Sequence, residues 1–267
     1  MANAQFRFYA ELNAFLAPAL RHRCFAHRYP RDATVKHMIE ALGVPHTEVE
    51  LILVNGESAD FSRAMHDGDR VSVYPHFHAF DISPLAKLPG RPVRGAMFIA
   101  DAHLGQLAKK LRMLGFDVLY RNSYSDAEVA RIAFDQERIV LTRDRDLLIR
   151  KDVVRGCYLH SIVCEEQLCE VLWRFDLLPL MQAFSRCLTC NGILREVERG
   201  EVEGRVPHSS GQHYNRFFEC EHCRKVYWEG SHVRRMRARI EQFLNRCKAM
   251  QRMPIASRER RHTVRSV

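Results

Sequence analysis

The chain has 267 residues, 46% of them hydrophobic and 27% charged, which is enough for more than one folded domain and too apolar for a disordered tail. No stretch approaches the roughly 18 apolar residues of a membrane span, and Arg7 and Glu11 break the N-terminal apolar residues before a signal-peptide core can form, so a cytoplasmic protein with no membrane partner is expected. The net charge of +9 favours a polyanionic partner, although charge alone does not separate nucleic acid from an anionic surface or from plain solubility.

Residues 1–80 read as a small α+β unit. Phe6 and Phe8 alternate with polar neighbours, and Cys24 to Tyr29 forms a second short strand. Thr34 can cap a helix with an apolar face of Val35, Met38, Ile39 and Leu42, which Gly43 and Pro45 stop. Leu51 to Val54 runs into the turn pair Asn55-Gly56, and Asp67-Gly68-Asp69 leads into an alternating strand from Arg70 to Pro75. Two strands, a helix and further strands suggest a β-grasp. The Val-Asn-Gly and Asp-Gly-Asp-Arg-Val patterns resemble ubiquitin-like sulfur carriers, which end in a free Gly-Gly. Here Gly90 and Gly95 are single and internal, so a protein-docking role is expected instead.

Pro84, Pro89, Gly90, Pro92 and Gly95 mark residues 81–95 as a linker. In 96–180, strands alternate with helices, the pattern of a parallel three-layer α/β sheet. Met97 to Ala100 is a strand ending at Asp101. Leu104, Leu107, Ala108, Leu111 and Leu114 then recur at helical spacing, and Gly115 closes the helix. Phe116 to Tyr120 is the next strand, and Ser125-Asp126-Ala127-Glu128 has capping-box spacing. Arg138 to Thr142 is a strand delivering Asp144 and Asp146, with Asp146 placed to cap a short helix. Cys157 to Val163 is a further strand, and Leu168, Val171, Leu172 and Phe175 mark a helix behind it.

Residues 181–232 carry Cys187-x-x-Cys190 and Cys220-x-x-Cys223, two knuckles whose four thiolates suit one tetrahedral, structural Zn²⁺. A redox dithiol would need a βα context that neither pair has. His208, His213 and His222 are spare ligands, and Cys24, Cys157, Cys164, Cys169 and Cys247 read as ordinary reduced residues. Residues 233–267 form a basic helix and a tail rich in arginine, including Arg258, Arg260, Arg261 and Arg265.

Acids just past parallel strand ends gather along one crevice, where they repel unless a divalent cation lies between them. Each acid also has a purely structural alternative. Asp101 and Asp146 could be helix N-caps, Glu128 the reciprocal half of a box with Ser125, and Asp126 a first-turn dipole partner. Lys109, Lys110, Arg112 and Arg143 could contact phosphates or simply form solvated faces, and strand-end Thr142 is expected to be solvated.

The stretch Phe98-Ile99-Ala100-Asp101-x-x-Leu104-Gly105, with Leu107-Ala108-x-x-Leu111-Arg112-x-Leu114-Gly115, resembles the opening of the Mut7-C ribonuclease family, a branch of the PIN-like nucleases. Leu141-Thr142-Arg143-Asp144-x-Asp146-Leu147 resembles its second acidic motif, and the cysteines followed by Val226-Tyr227-Trp228-x-Gly230-Ser231-His232 resemble its zinc ribbon. The resemblance implies a PIN-like fold behind a ubiquitin-like domain, and RNA cleavage with Mg²⁺ or Mn²⁺. It makes Asp101 the first metal ligand, Asp144 the third and Asp146 the fourth. Asp126 and Glu128 compete for the second place, the longer Glu128 reaching further. Lys109, Arg112 and Arg143 become candidate substrate contacts. The rival expectation is a non-catalytic RNA- or ribosome-associated adaptor that binds through ribbon and tail.

Overall fold

The structure, a computed structural model, describes residues 1–77, 87–88, 97–206 and 214–251. The prolines and glycines of the expected linker and the arginines of the C-terminal tail lie outside the described residues. The first elements are β1 (Ala2–Phe8), β2 (Phe25–Tyr29), α1 (Val35–Ala41), β3 (Leu51–Val54), β4 (Glu57–Ala59) and β5 (Arg70–Tyr74). There follow β6 (Met97–Ala100), α2 (Gly105–Met113), β7 (Asp117–Leu119), α3 (Asp126–Asp135), β8 (Ile139–Thr142), α4 (Arg145–Ile149), β9 (Gly156–Tyr158) and α5 (Cys164–Arg174). The last are β10 (Leu194–Val197), β11 (Phe217–Cys220), β12 (Val226–Trp228) and α6 (Ser231–Gln251). No described helix is long and apolar enough to cross a membrane.

The chain divides into two compact units, one of Met1–His103 with Arg121–Leu159, the other of Leu104–Tyr120 with the residues from His160 onward. In the first unit, five strands form a sheet of order β2-β1-β5-β3-β4. Its central pair, β1 and β5, is parallel and the remaining pairs are antiparallel. Alternation places Phe6 and Phe8 on the buried face with Phe25, Ile52, Val71 and Val73, and α1 closes that core with Val35, Met38 and Ile39. Thr34 caps α1 as its position predicts, its hydroxyl oxygen accepting from the His37 amide at 3.3 Å. Asn55 and Gly56 both adopt positive φ, as the two-residue β3–β4 hairpin requires. This is a β-grasp.

In the same unit β6, β8 and β9 run parallel, with Ala100 opposite Leu141 and Leu141 opposite Cys157. All four residues of β8 are buried, the continuous apolar pattern of a strand covered on both faces. The β-grasp docks on this sheet through the turn His46–Glu48. Nδ1 of His46 meets Glu40 Oε1 at 2.7 Å and its Nε2 meets the Val153 carbonyl at 2.9 Å, while Glu48 accepts from the Tyr158 amide at 2.8 Å. Phe15 adds an edge-on contact with the Tyr158 ring.

In the second unit, α2 buries Leu107, Ala108 and Leu111 and packs on α5, which in turn meets α6. There Cys169 and Cys247 are joined as a disulfide, which corrects the expectation that both are reduced. Neither belongs to a motif, and only the packing of α5 on α6 makes them neighbours. Strands β10, β11 and β12 form an antiparallel ribbon around Val197, Val202 and Phe217.

The capping box at α3 forms in full: Glu128 Oε2 accepts from the Ser125 amide and hydroxyl, and the Glu128 amide donates to Ser125 Oγ. Ser125→Ala is expected to cost about 1 kcal/mol, read as a lower midpoint in urea unfolding and faster amide exchange in the first turn of α3; an unchanged midpoint would show that the box contributes nothing.

Candidate active site and metal centre

Asp101 stands one residue past β6, its amide extending the ladder to the Leu141 carbonyl at 3.0 Å. A short 3-10 helix, Ala102–Leu104, starts directly after it, and the cap position of α2 is held by Leu104. The Asp101 carboxylate, only 9% exposed, accepts from the Thr142 hydroxyl at 2.7 Å. Thr142 is fully buried at the end of β8, not solvated as the sequence led us to expect, because its hydroxyl has two partners. The second is the Asp144 amide, which donates to Thr142 Oγ1 at 2.9 Å. Asp144 in turn caps α4, accepting from the Asp146 amide at 2.8 Å.

One chain of bonds therefore links Asp101, Thr142, Asp144 and the Asp146 amide. The cap of α4 is Asp144 and not Asp146, whose side chain is 81% exposed beside Arg145. Asp126 and Glu128 are exposed in the first turn of α3, Glu128 with one oxygen already occupied by Ser125. Hydrogen bonds from the Ser125 amide and hydroxyl hold the Glu128 carboxyl below the usual range. The acids are not gathered as three ligands. Among the described residues, the four cysteines are the set of three or more His, Cys, Asp or Glu side chains placed to hold one ion. Two carboxylates nonetheless suffice for Mg²⁺, which usually takes one or two and leaves the remaining positions to water and substrate phosphate.

Arg143, between Thr142 and Asp144, and Lys109 on α2 are exposed. Lys110 pairs with Glu165 at 3.7 Å. Arg112 is corrected as a substrate contact: it is 4% exposed and donates to the carbonyls of Val118, Leu188 and Thr189. Burial lowers its pKa, opposed by the nearby Cys187 and Cys190 sulfurs and Asp117. Arg112 thus ties α2 to the first knuckle. Asn191, which the sequence reading passed over, does the same for β7, accepting from the Val118 amide and donating to Asp117. An asparagine directly after a knuckle was the available signal, because that residue type tolerates the left-handed backbone it adopts here (φ 72°).

The sulfurs of Cys187, Cys190, Cys220 and Cys223 all lie within 4.8 Å of one another. Four thiolates about 2.3 Å from zinc stand roughly 3.8 Å apart in a tetrahedron, and the Cys187–Cys223 and Cys190–Cys220 separations are 3.6 and 3.4 Å. The donor set fits zinc. Burial pushes the Cys187 thiol up, but hydrogen bonds from Tyr227 and from the knuckle amides outweigh it and bring it to about 6. Burial holds Cys190 up at about 12, so its thiolate would need the charge of a cation beside it. His222 is not among the ligands, and His208 and His213 lie outside the described residues.

Behind the knuckles Glu219, 1% exposed, accepts from Arg205 at 2.6 Å and Arg195 at 2.8 Å and forms an ion pair with Arg224 at 3.1 Å. The Arg205 hydrogen bond, against the effect of burial and helped by Arg195, holds its carboxyl below the usual glutamate range. A depressed folded-state pKa stabilises above the unfolded value and loses that contribution as pH falls through the folded one. Glu219→Gln is therefore expected to lower the melting temperature at neutral pH, with the gap to wild type closing on acidification; a gap independent of pH would contradict this assignment.

The family model described as the Mut7-C RNAse domain matches residues 96–240, more than half of the chain, and that described as Mut7-C ubiquitin matches residues 1–81. No curated protein matches. Among solved structures, the small archaeal modifier protein 1 of H. volcanii is 23% identical over 28% of this chain and 98% of its own, with a TM-score of 0.23. A crystal structure of SAMP1 from Haloferax volcanii is 21% identical over 30% and 100%, with a TM-score of 0.24. Neither likeness bears on the site. With a β-grasp ahead of a parallel sheet, acids past its strand ends and a four-cysteine cluster behind, matched by those two models in that order, the chain belongs to the Mut7-C RNAse domain family.

Proposed function

We propose that this protein is a metal-dependent ribonuclease that hydrolyses RNA phosphodiester bonds with Asp101 and Asp144 as ligands of Mg²⁺ or Mn²⁺. The observation that carries this reading is the buried Thr142 hydroxyl, which donates to Asp101 and accepts from Asp144. It ties the carboxylate one residue past β6 to the acid past the end of β8, so the two proposed ligands are held at neighbouring strand ends. A bound divalent cation would supply an activated water and neutralise charge developing on the phosphate. Thr142 fixes the orientation of Asp101, and the exposed Arg143 stands beside the acids where it can meet a substrate phosphate. Asp126, Glu128 and Asp146 are proposed as outer acids, reaching the ion through water or not at all. Lys109 is proposed as a contact to the RNA backbone, and the ribbon is proposed to hold a structural zinc. We assign the protein to the cytoplasm, and the exposed face of the β-grasp to a protein partner.

The test is incubation of zinc-loaded protein with single-stranded and structured RNA, with Mn²⁺ or with EDTA. Cleavage in Mn²⁺ alone, with RNA affinity falling steeply as salt rises, is the expected result. Tight RNA binding with no cleavage under any metal would overturn the enzyme reading in favour of an adaptor.

A further inference from the structure

Neither the acids nor the sulfurs account for a cavity of about 360 Å³ on the ribbon, bordered by residues 182–188, β11, β12 and the start of α6. That volume falls in the roughly 300–1,000 Å³ range of small-molecule sites. Its walls are aromatic, with Phe184, Phe218, Tyr227 and Trp228. Two of these rings carry an arginine: Arg237 lies over Phe184 at 5.4 Å and Arg216 over Phe218 at 5.3 Å. Guanidinium planes laid on aromatic faces make flat, polarisable surfaces suited to stacking.

The polar groups narrow the ligand further. Arg216 is neutralised by Glu196 at 2.9 Å, and Arg186 by Asp117 at 3.2 Å. Both Arg216 and Arg237 also reach Glu229, and both meet its Oε1, at 3.5 and 2.5 Å. The cations are thus already compensated, and a bare phosphate finds no strong site. Among the described residues Glu229 Oε2 has no partner, so the cavity offers one anionic acceptor among stacking faces. That combination fits a flat, uncharged ring with an N–H edge.

We propose that this cavity binds an unpaired nucleobase of an RNA strand, the base stacking within the aromatic walls and donating an N–H to Glu229 Oε2. Such stacking is sequence-tolerant, because every base has a π-face. The choice of RNA rests on the ribonuclease reading, while the geometry of the cavity does not.

The chain has two tryptophans, so Trp173→Phe leaves Trp228 as the single reporter in the cavity. Full-length, zinc-loaded protein with this change, in the absence of added Mg²⁺ or Mn²⁺, would be titrated with the four ribonucleoside 5′-monophosphates and with ribose 5-phosphate. The expected result is saturable quenching of Trp228 by at least one nucleotide and none by the sugar phosphate. Glu229→Gln and Phe184→Leu, each verified for zinc content and circular dichroism, should weaken the response about tenfold or more. Absence of saturable quenching at millimolar nucleotide, equal quenching by ribose 5-phosphate, or unchanged affinity in both variants would overturn the proposal. Because no cleavage enters this measurement, its failure leaves the nuclease reading standing, and an inactive enzyme leaves base binding standing.

Discussion

Asp101→Asn is expected to reduce Mn²⁺-dependent RNA cleavage by about 10²-fold or more, while leaving the thermal melt close to wild type. Asparagine keeps an oxygen that can accept from Thr142, so the buried hydrogen bond at 2.7 Å has a replacement and the strand end keeps its packing. What is lost is the negative charge that a divalent cation needs. Thr142→Val is the informative companion. It removes the donor to Asp101 and the acceptor of the Asp144 amide together, leaving two poorly paired groups near a buried position. Activity and stability should therefore both fall, in contrast to the clean loss of activity at Asp101. Single-turnover cleavage assays beside melts of both variants check this, and full activity in Asp101→Asn would remove the acid on which the proposed chemistry depends.

Stripping zinc, or replacing Cys220 by serine, is expected to unfold the ribbon. Its own cluster buries only Val197, Val202 and Phe217 among the described residues. Each such side chain contributes about 1.5–3 kcal/mol on burial, whereas a four-thiolate zinc site contributes about 10–16 kcal/mol in comparable small modules. Cys220 is itself fully buried, its sulfur 3.4 Å from that of Cys190, so serine at that place loses a ligand and leaves a hydroxyl in a sulfur-lined site. Proteolysis should then open the chain between residues 185 and 230, and metal analysis should show less than one zinc per chain. Because ligands bind as thiolates, zinc release should become easier as pH falls. A chelated protein as resistant to protease as the loaded one would mean that the ribbon stands without metal. Arg112 and Asn191 extend the consequence, since both anchor α2 and β7 to the first knuckle.

Much of the fold was legible from local patterns. The alternation around Phe6 and Phe8, the Thr34 and Ser125 caps, and the Asn55-Gly56 hairpin each act over a few residues, and each appears where its pattern places it. The site was legible only in part. A strand-end aspartate before a helix looks alike whether it caps or ligates, and the structure shows where each side chain goes: Asp144 caps α4, Asp101 accepts from Thr142, and Asp146 points to solvent. Thr142 and Arg112 were read as exposed because a polar side chain at a strand end or on a helix usually is. Their burial depends on partners 41 and 77 residues away.

By itself, then, the sequence determined the elements, the family likeness and the four clustered cysteines, since propensity, capping and knuckle spacing are short-range properties of the chain. The tertiary structure alone decided which acid meets Thr142, that Arg112 serves the knuckle and not a substrate, that Cys169 meets Cys247, and that aromatic and arginine side chains from four segments close a cavity. Those outcomes depend on register and helix packing, which bring together groups whose separation along the chain carries no trace of their contact.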